Sequence, residues 1–463
     1  MFSLARPKAV LSRLTAGRAR SAVAPQPAPP PEQPLAVGPA DALWRHVPYS
    51  AEEMSGWTRE DLQRHRTGDA WLDNMLLNKF EFATGVSRLE SLPFRFSVPF
   101  VLCNARCDFC SAWLVQGKPM PIELIDRLEP VMPYLAEIDL VGWGEPLIHP
   151  QFAQILQTLQ DRADDRAHIT LTTNGAQLKA WIPRLLAAKV RHFAISIHAA
   201  TAATHEDMMG LAAGTFDKVT EAIAALTSRR AEEPKLVVGM VFIVTRQNIG
   251  EIPQFLEMAE RLGVDSVFLR TLQGRSAEDD GLDYHRLPPY LHPDFAILSL
   301  EAVAAIAAAR ARGRLTIEAA PETWSTSVYP EDIEAEMLAR PVTSREERRV
   351  SKSLRRTPVE DSSRLPTGRR LQGAKVRDDY PNPYGRTTPL GCPSPYTALY
   401  INGFDRQLTP CCYMGVVEGH EPNYLREGAS FDQVWNAPAM VEVRRTLHEG
   451  PLMEACLKCP FFF

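Results

Sequence analysis

From about residue 93 the chain alternates short apolar runs with amphipathic stretches, and this alternation limits the fold more than any other feature of the sequence. Parallel strands joined by crossover helices give such a pattern. FRFSVPFVLC ends a first strand at a group of cysteines; IELIDRLEPVMPYLAE reads as a helix, EIDLVG as a strand, PQFAQILQTLQDRA as a helix and HITLTTNG as a third strand. LKAWIPRLLAAKV, HFAISIHA, FDKVTEAIAALTSRR, KLVVGMVFIVT, EIPQFLEMAERLG and VDSVFLRTL continue the series to about six strand-and-helix units. Right-handed crossovers leave this repeat two choices, an open doubly wound sheet or a full or partial barrel. In either, chemistry sits at the C-terminal ends of the strands.

The flanks read differently. The first forty residues are rich in Ala, Pro and Arg, and QPAPPPEQP can neither continue a helix nor join a sheet interior, so a flexible tail is expected there. Residues 1–22 carry Arg and Lys but no acid, a pattern shared by transit peptides and by plain solvated basic tails. SLEAVAAIAAARARG is one further helix; residues 341–380 are polar and rich in Arg, Ser and Pro, as a linker or an insertion over the site would be. Strand signals return in TALYIN and QLTP around an Asn402-Gly403 turn, followed by a helix in FDQVWNAPAMVEVRRTLHEG. The expected divisions are an N-terminal extension over 1–90, a core over 91–275, a helical and polar insertion or linker over 276–388, and a C-terminal domain over 389–463.

With 463 residues, 45% of them apolar, the chain can bury a large core. A formal charge of -5 gives no global field toward nucleic acid or an anionic membrane. No membrane-spanning run and no secretory signal is visible, so a cytoplasmic protein is expected. The eight cysteines fall into two distant groups. In a long cytosolic chain such clustering points to metal before disulfide.

CNARCDFC, running from Cys103 through Cys107 to Cys110, places three thiolates in one loop at the end of the first strand. A cubane iron–sulfur cluster takes four ligands, so three leave one iron open; a zinc loop completed by a histidine is the competing reading. The loop resembles the signature of radical S-adenosylmethionine (SAM) enzymes, with Phe109 at the aromatic position before the last cysteine. GWGEP (Gly142, Trp143, Gly144, Glu145, Pro146) is similar to the family's glycine-rich motif that meets the amino group of SAM. TTNG, with Thr173 and Asn174, and ISIHAAT, with Ser196 where family members place a serine near the SAM carboxylate or ribose, follow in the family's order. Arg270, at the end of the sixth strand, suits a carboxylate partner. Two departures concern the SAM clamp: His198 stands where relatives often carry Asp, and HEDMMG, with Met208 and Met209, where many carry Arg. His198 is a candidate proton acceptor, since imidazole titrates near neutrality.

The second group, Cys392, Cys411, Cys456 and Cys459, resembles the twitch form of the SPASM extension, together with LYIN, LTPCC and VWN. Of adjacent Cys411 and Cys412, an extended chain directs only one inward, and Cys411 is the expected ligand. The resemblance implies an α/β fold, a partial (β/α)6 TIM-type barrel with a small hairpin-plus-helix twitch domain. It also implies a SAM-binding 4Fe-4S cluster, a second auxiliary 4Fe-4S cluster, and a flavodoxin or ferredoxin-type electron donor. The implied activity is an oxidoreductase: SAM is cleaved reductively to a 5'-deoxyadenosyl radical, the radical takes a substrate hydrogen atom, and an electron passes to the auxiliary cluster. The substrate is a small molecule or a peptide; a peptide maturase and a non-enzymatic zinc protein are the alternatives.

Overall fold

The structure is a computed structural model and describes residues 44–110, 118–271, 289–321, 324, 392–403, 406–411, 414, 417, 419–421, 423–425, 428–453 and 456. Cys412, Cys459, the tail before residue 44 and the 341–380 stretch lie outside the described residues. Among the described residues three helices come first, α1 (Ala51–Met54), α2 (Arg59–Arg64) and α3 (Ala70–Ala83). Asp69 starts α3 by accepting from the Trp71 and Leu72 N–H groups, which satisfies two donors that have no partner within the helix.

The repeat then runs β1 (Arg95–Phe100), α4 (Glu123–Asp126), β2 (Glu137–Gly142), α5 (Phe152–Arg162), β3 (His168–Thr173), α6 (Leu178–Ala187) and β4 (Val190–Ser196). It continues as α7 (Ala202–Met209), α8 (Thr215–Thr227), β5 (Val237–Val244), α9 (Ile252–Leu262), β6 (Ser266–Thr271), α10 (Phe295–Arg312) and β7 (Thr316–Ala319). Seven strands thus lie in chain order, each parallel to the next. The fold is the α/β, parallel, partial-barrel type, one unit longer than six. The extra unit falls within 276–388, where the helix was legible but the short TIEA strand carried too weak a pattern.

A second difference concerns the stretch from Ile122 to Glu137, expected as one helix. It forms only α4 and a 3-10 turn over Met132–Tyr134. Pro130 and Pro133 lack the N–H groups a continuing helix would donate.

Beyond β7 the described chain resumes at residue 392 with α11 (Ser394–Thr397), β8 (Ala398–Ile401), β9 (Leu408–Thr409), α12 (Phe431–Trp435) and α13 (Pro438–Glu449). β8 and β9 form the expected hairpin, but β8 also pairs in parallel with β1, so the sheet reads β7-β6-β5-β4-β3-β2-β1-β8-β9. The hairpin is an edge of the barrel sheet. At its turn a Cβ on Gly403 would stand 2.4 Å from Val101 Cγ1, so only glycine lets the turn approach the end of β1.

Strand alternation gives the sheet two chemically different faces. Val98, Ile138, Leu140, Leu171, Val238 and Val267 are buried in one apolar cluster with the helices. On the opposite parity β1 to β3 carry the polar Ser97, Asp139 and Thr170, half-buried on the concave face, while β5 presents Val237, Val241 and Ile243. Register aligns Ser97 with Asp139, Asp139 with Thr170, and Ser97 with Tyr400 of β8.

Candidate active site at the strand C-terminal ends

The three clustered cysteines hang from the end of β1, and the neighbouring loops fix their backbone. The Arg106 N–H donates to the Met209 carbonyl (2.8 Å) and the Asp108 N–H to the Met208 carbonyl (2.9 Å). These carbonyls belong to the last turn of α7, where they have no acceptor role within the helix. The helix stops at Gly210, in the left-handed region at φ 58°, and a Cβ there would stand 2.7 Å from the Arg106 carbonyl oxygen. HEDMMG therefore clamps the cysteine loop. Sequence reading singled out Met208 and Met209 only as a departure from pattern, although a glycine closing a helical run is a recognisable stop signal.

Ala105, Cys107, Phe109, Met208, Met209 and Leu211 form a small apolar cluster of their own, with Cys103, Cys110 and Ile243 packed against it. Cys107 is buried, and Cys103 and Cys110 are half-buried. The Ala105 N–H points at Cys103 Sγ (3.4 Å). Burial pushes the Cys103 thiol up to about 11, so a bound cation is what brings it to the thiolate near neutrality.

GWGEP lies beside this loop for a steric reason. A Cβ on Gly142 or Gly144 would sit 2.3 Å from the carbonyl oxygen of Phe100 or Leu102, respectively. The glycines let β2 run its backbone against the end of β1, where the Gly144 and Glu145 N–H groups donate to the Phe100 and Leu102 carbonyls (2.9 and 2.6 Å). Trp143 is half-buried between them, and Pro146 opens a 3-10 turn over Pro146–Ile148. Glu145 is buried and turned into the protein: it accepts from Thr173 Oγ1 (2.7 Å), the Asn174 N–H (2.6 Å) and the Leu147 N–H (3.1 Å). Burial raises its pKa against those donors. Asn174 Nδ2 donates to Asn104 Oδ1 inside the cysteine loop (2.7 Å), a contact that sequence reading missed. The ends of β1, β2 and β3 are thus one hydrogen-bonded unit.

Ser196 is half-buried as the last residue of β4. His198 lies two residues further and is 2% exposed. Its Nδ1 accepts from the Ile243 N–H (3.1 Å), and burial, helped by neighbouring His205, drives its pKa down to about 3. Burial thus keeps the His198 ring neutral near neutrality, with Nδ1 accepting from the Ile243 N–H. Arg270 is exposed at the end of β6, ion-paired with Glu318 of β7 and set over the Phe268 ring.

Of the second cysteine group, three members fall among the described residues. Cys392, Cys411 and Cys456 are half-buried against the main core. Cys411 Sγ accepts from the Met414 N–H (3.2 Å), and the Cys456 N–H donates to the Met453 carbonyl (2.9 Å).

The donor set at the first site fits an iron–sulfur cluster. Among the described residues no three His, Cys, Asp or Glu side chains lie close enough to share one metal ion. A cubane presents a separate iron to each thiolate, and three thiolates leave one iron open. The apolar lining also suits a cluster better than a hydrated ion.

Comparison with known proteins agrees on the class. Residues 97–259 match the Radical SAM superfamily, so the chain carries a radical SAM domain. It is 29% identical over 195 residues to the AdoMet-dependent heme synthase of Methanosarcina barkeri, covering 40% of this chain and 53% of that protein. It is 28% identical to the GTP 3',8-cyclase of Caulobacter vibrioides (39% and 52% covered) and 28% identical to the mycofactocin maturase MftC of Mycobacterium ulcerans (35% and 42%). The chain spans about half the length of the curated relatives it matches. Among solved structures, SuiB of Streptococcus suis bound to S-adenosylmethionine aligns with a TM-score of 0.47 at 15% identity, over 84% of this chain and 74% of that one. No helix among the described residues is long and apolar enough to cross a membrane.

Proposed function

We propose that the chain is a radical SAM oxidoreductase of the cytoplasm that oxidises a polar organic substrate. The supporting observation is the loop of Cys103, Cys107 and Cys110, set at the strand ends and fixed by Met208, Met209 and Asn174. These three cysteines would hold a 4Fe-4S cluster, with Gly142, Trp143, Gly144, Pro146, Thr173, Ser196 and Arg270 around the SAM beside it. Cluster and SAM together supply a 5'-deoxyadenosyl radical able to remove a hydrogen atom from carbon.

The chain's own residues then have three tasks. Phe109, Met208, Met209, Leu211 and Ile243 exclude water around the cysteines, which protects a reactive intermediate from side reactions. Glu145 and Asn174 hold the three strand ends in register beside the SAM. Ser97, Asp139, Thr170 and Tyr400 give the concave face hydroxyl and carboxyl groups suited to a hydroxyl-bearing substrate such as a sugar or cyclitol.

Cys392, Cys411, Cys456 and Cys459 would hold an auxiliary 4Fe-4S cluster that accepts the substrate's electron; a flavodoxin or ferredoxin-type protein would supply the first one. Their support is the packing of the first three against one core. A curated relative named as a maturase supports a second reading, a peptide substrate. The primary test is anaerobic incubation of reconstituted protein with SAM and a chemical reductant. Formation of 5'-deoxyadenosine, abolished in Cys107→Ala, is expected; no product, or equal product from the variant, rejects the proposal.

A further inference from the structure

His198 occupies a junction that neither of its candidate roles, base or plain core residue, accounts for. Its ring stands perpendicular to that of Phe109, with centroids 4.8 Å apart and an interplanar angle of 88°. Phe109 lies between Cys107 and Cys110 in the chain. On the other side, His198 Nδ1 accepts from the Ile243 N–H (3.1 Å) on β5, and the Ile243 side chain packs against the cysteine cluster. The His198 N–H meets His205 Nδ1 (3.3 Å) on α7, the helix whose last carbonyls hold Arg106 and Asp108. Asn248 Nδ2 closes the set by donating to the carbonyls of both His198 and Ile243 (2.7 Å each).

We propose that His198 is a positioning residue for the cysteine loop, bracing Phe109 from below while tying β4, β5 and α7 together behind it, so that Cys107 and Cys110 keep the mutual placement a cluster requires. The proposal rests on reading the three cysteines as cluster ligands. Side chains one step removed from a metal orient its ligands, and their loss typically weakens metal retention without removing a ligand. An edge-on ring pair fixes both distance and angle, which a simple apolar contact does not.

Two variants divide the two contacts. His198→Phe keeps a ring against Phe109 but offers no acceptor to the Ile243 N–H; His198→Asn offers an oxygen to that N–H but no ring. Val238→Ala is the comparison, since Val238 is fully buried on β5 within the main core rather than in the cysteine cluster. Each protein is reconstituted anaerobically as the full chain. Iron and sulfide content, the rate of iron loss to a chelator, and the electron paramagnetic resonance spectrum of the reduced cluster with and without SAM are then measured beside the melting temperature.

Both His198 variants are expected to lose iron about tenfold faster than the parent and to give an altered spectrum on adding SAM. Val238→Ala should lower the melting temperature and leave both readouts unchanged. Parent-like iron retention and spectra in both variants overturn the proposal, as does equally fast iron loss from Val238→Ala at a matched drop in melting temperature. If one His198 variant does not fold, the other decides alone. A parent protein that takes up no iron rejects the ligand reading itself, an outcome visible before any variant is made.

Discussion

Asp139 puts a carboxyl on the concave face beside Glu137, with Arg95 the cation facing both from β1; Arg95 Nε donates to Glu137 Oε2 (2.6 Å). Burial pushes the Asp139 carboxyl up to about 6; Glu137 adds to the rise, while Arg95 and Ser97 oppose it. A folded-state pKa above the unfolded value of about 3.9 means that the native state binds a proton the unfolded chain releases. This group's contribution to stability is therefore complete below about pH 4 and is lost as pH rises through about 6, with a size of at most about 3 kcal/mol. Asp139→Asn fixes the neutral form. Melting temperatures measured from pH 4 to 8 should show the parent losing stability relative to the variant across that window, and parallel curves would refute the assignment. Glu145→Gln, by contrast, weakens acceptance from Thr173 and Asn174, and should cost about 1–3 kcal/mol in chemical denaturation. At this scale the cysteines and glycines were legible because their meaning lies in spacing along the chain. The inward role of Glu145 and the neutral state of His198 were not, because burial and the partners that impose it come from strands thirty to fifty residues away.

Gly210 shows how much an element boundary can carry. It ends α7, and its bare Cα is what allows the Arg106 backbone to approach the final turn. Gly210→Val asks a β-branched residue to adopt φ near +58° and to occupy space held by the Arg106 carbonyl. The expected outcome is destabilisation well above 1 kcal/mol together with low iron uptake on reconstitution, since the carbonyls of Met208 and Met209 would move away from the loop. Retention of full iron content would show that the clamp is dispensable. Periodicity made the strands β1 to β6 and helices α5, α6, α8 and α9 readable, because each buries one face and says so every second or every third to fourth residue. α4 is short because Pro130 and Pro133 interrupt an otherwise convincing pattern. The docking of β8 on β1 left no local trace: Arg95 pairs with Ala398 and Ser97 with Tyr400, and pairing across such a separation is decided by the assembled sheet.

The described residues pack as one compact unit, in which the segment after the N-terminal helices and the C-terminal helix meet at Arg444. This arginine is fully buried on α13. Its Nε donates to the Pro395 carbonyl (2.8 Å), its Nη1 to the Ser87 carbonyl (3.3 Å) and Asn436 Oδ1 (3.2 Å), and its guanidinium lies 4.3 Å from the Trp435 ring centroid. Burial lowers its pKa to about 9, which still leaves it charged near neutrality. Around it, Asn78 of α3 donates to the Tyr396 carbonyl (2.8 Å), Trp435 to the Ser91 carbonyl (3.1 Å), and Asn436 to the Leu89 carbonyl while accepting from the Leu89 N–H (2.8 Å each). Nothing in residues 44–90 or 431–450 read alone indicates that they meet, and composition changes at their borders suggest separate pieces. The contacts between them predict that the N-terminal helices, the edge hairpin and the C-terminal helix lose structure together. Arg444→Met retains much of the stem's volume but none of the hydrogen bonds, and Arg444→Ala also opens a cavity. Each acceptor left buried without its donor costs about 1–3 kcal/mol, so both variants should be strongly destabilised, Ala more than Met. Urea unfolding followed by tryptophan fluorescence, which senses Trp435 beside the substitution, and by far-ultraviolet circular dichroism should give one coincident transition in each protein. A fluorescence change that precedes the loss of circular dichroism would mean that the C-terminal helix detaches from a barrel that stands without it.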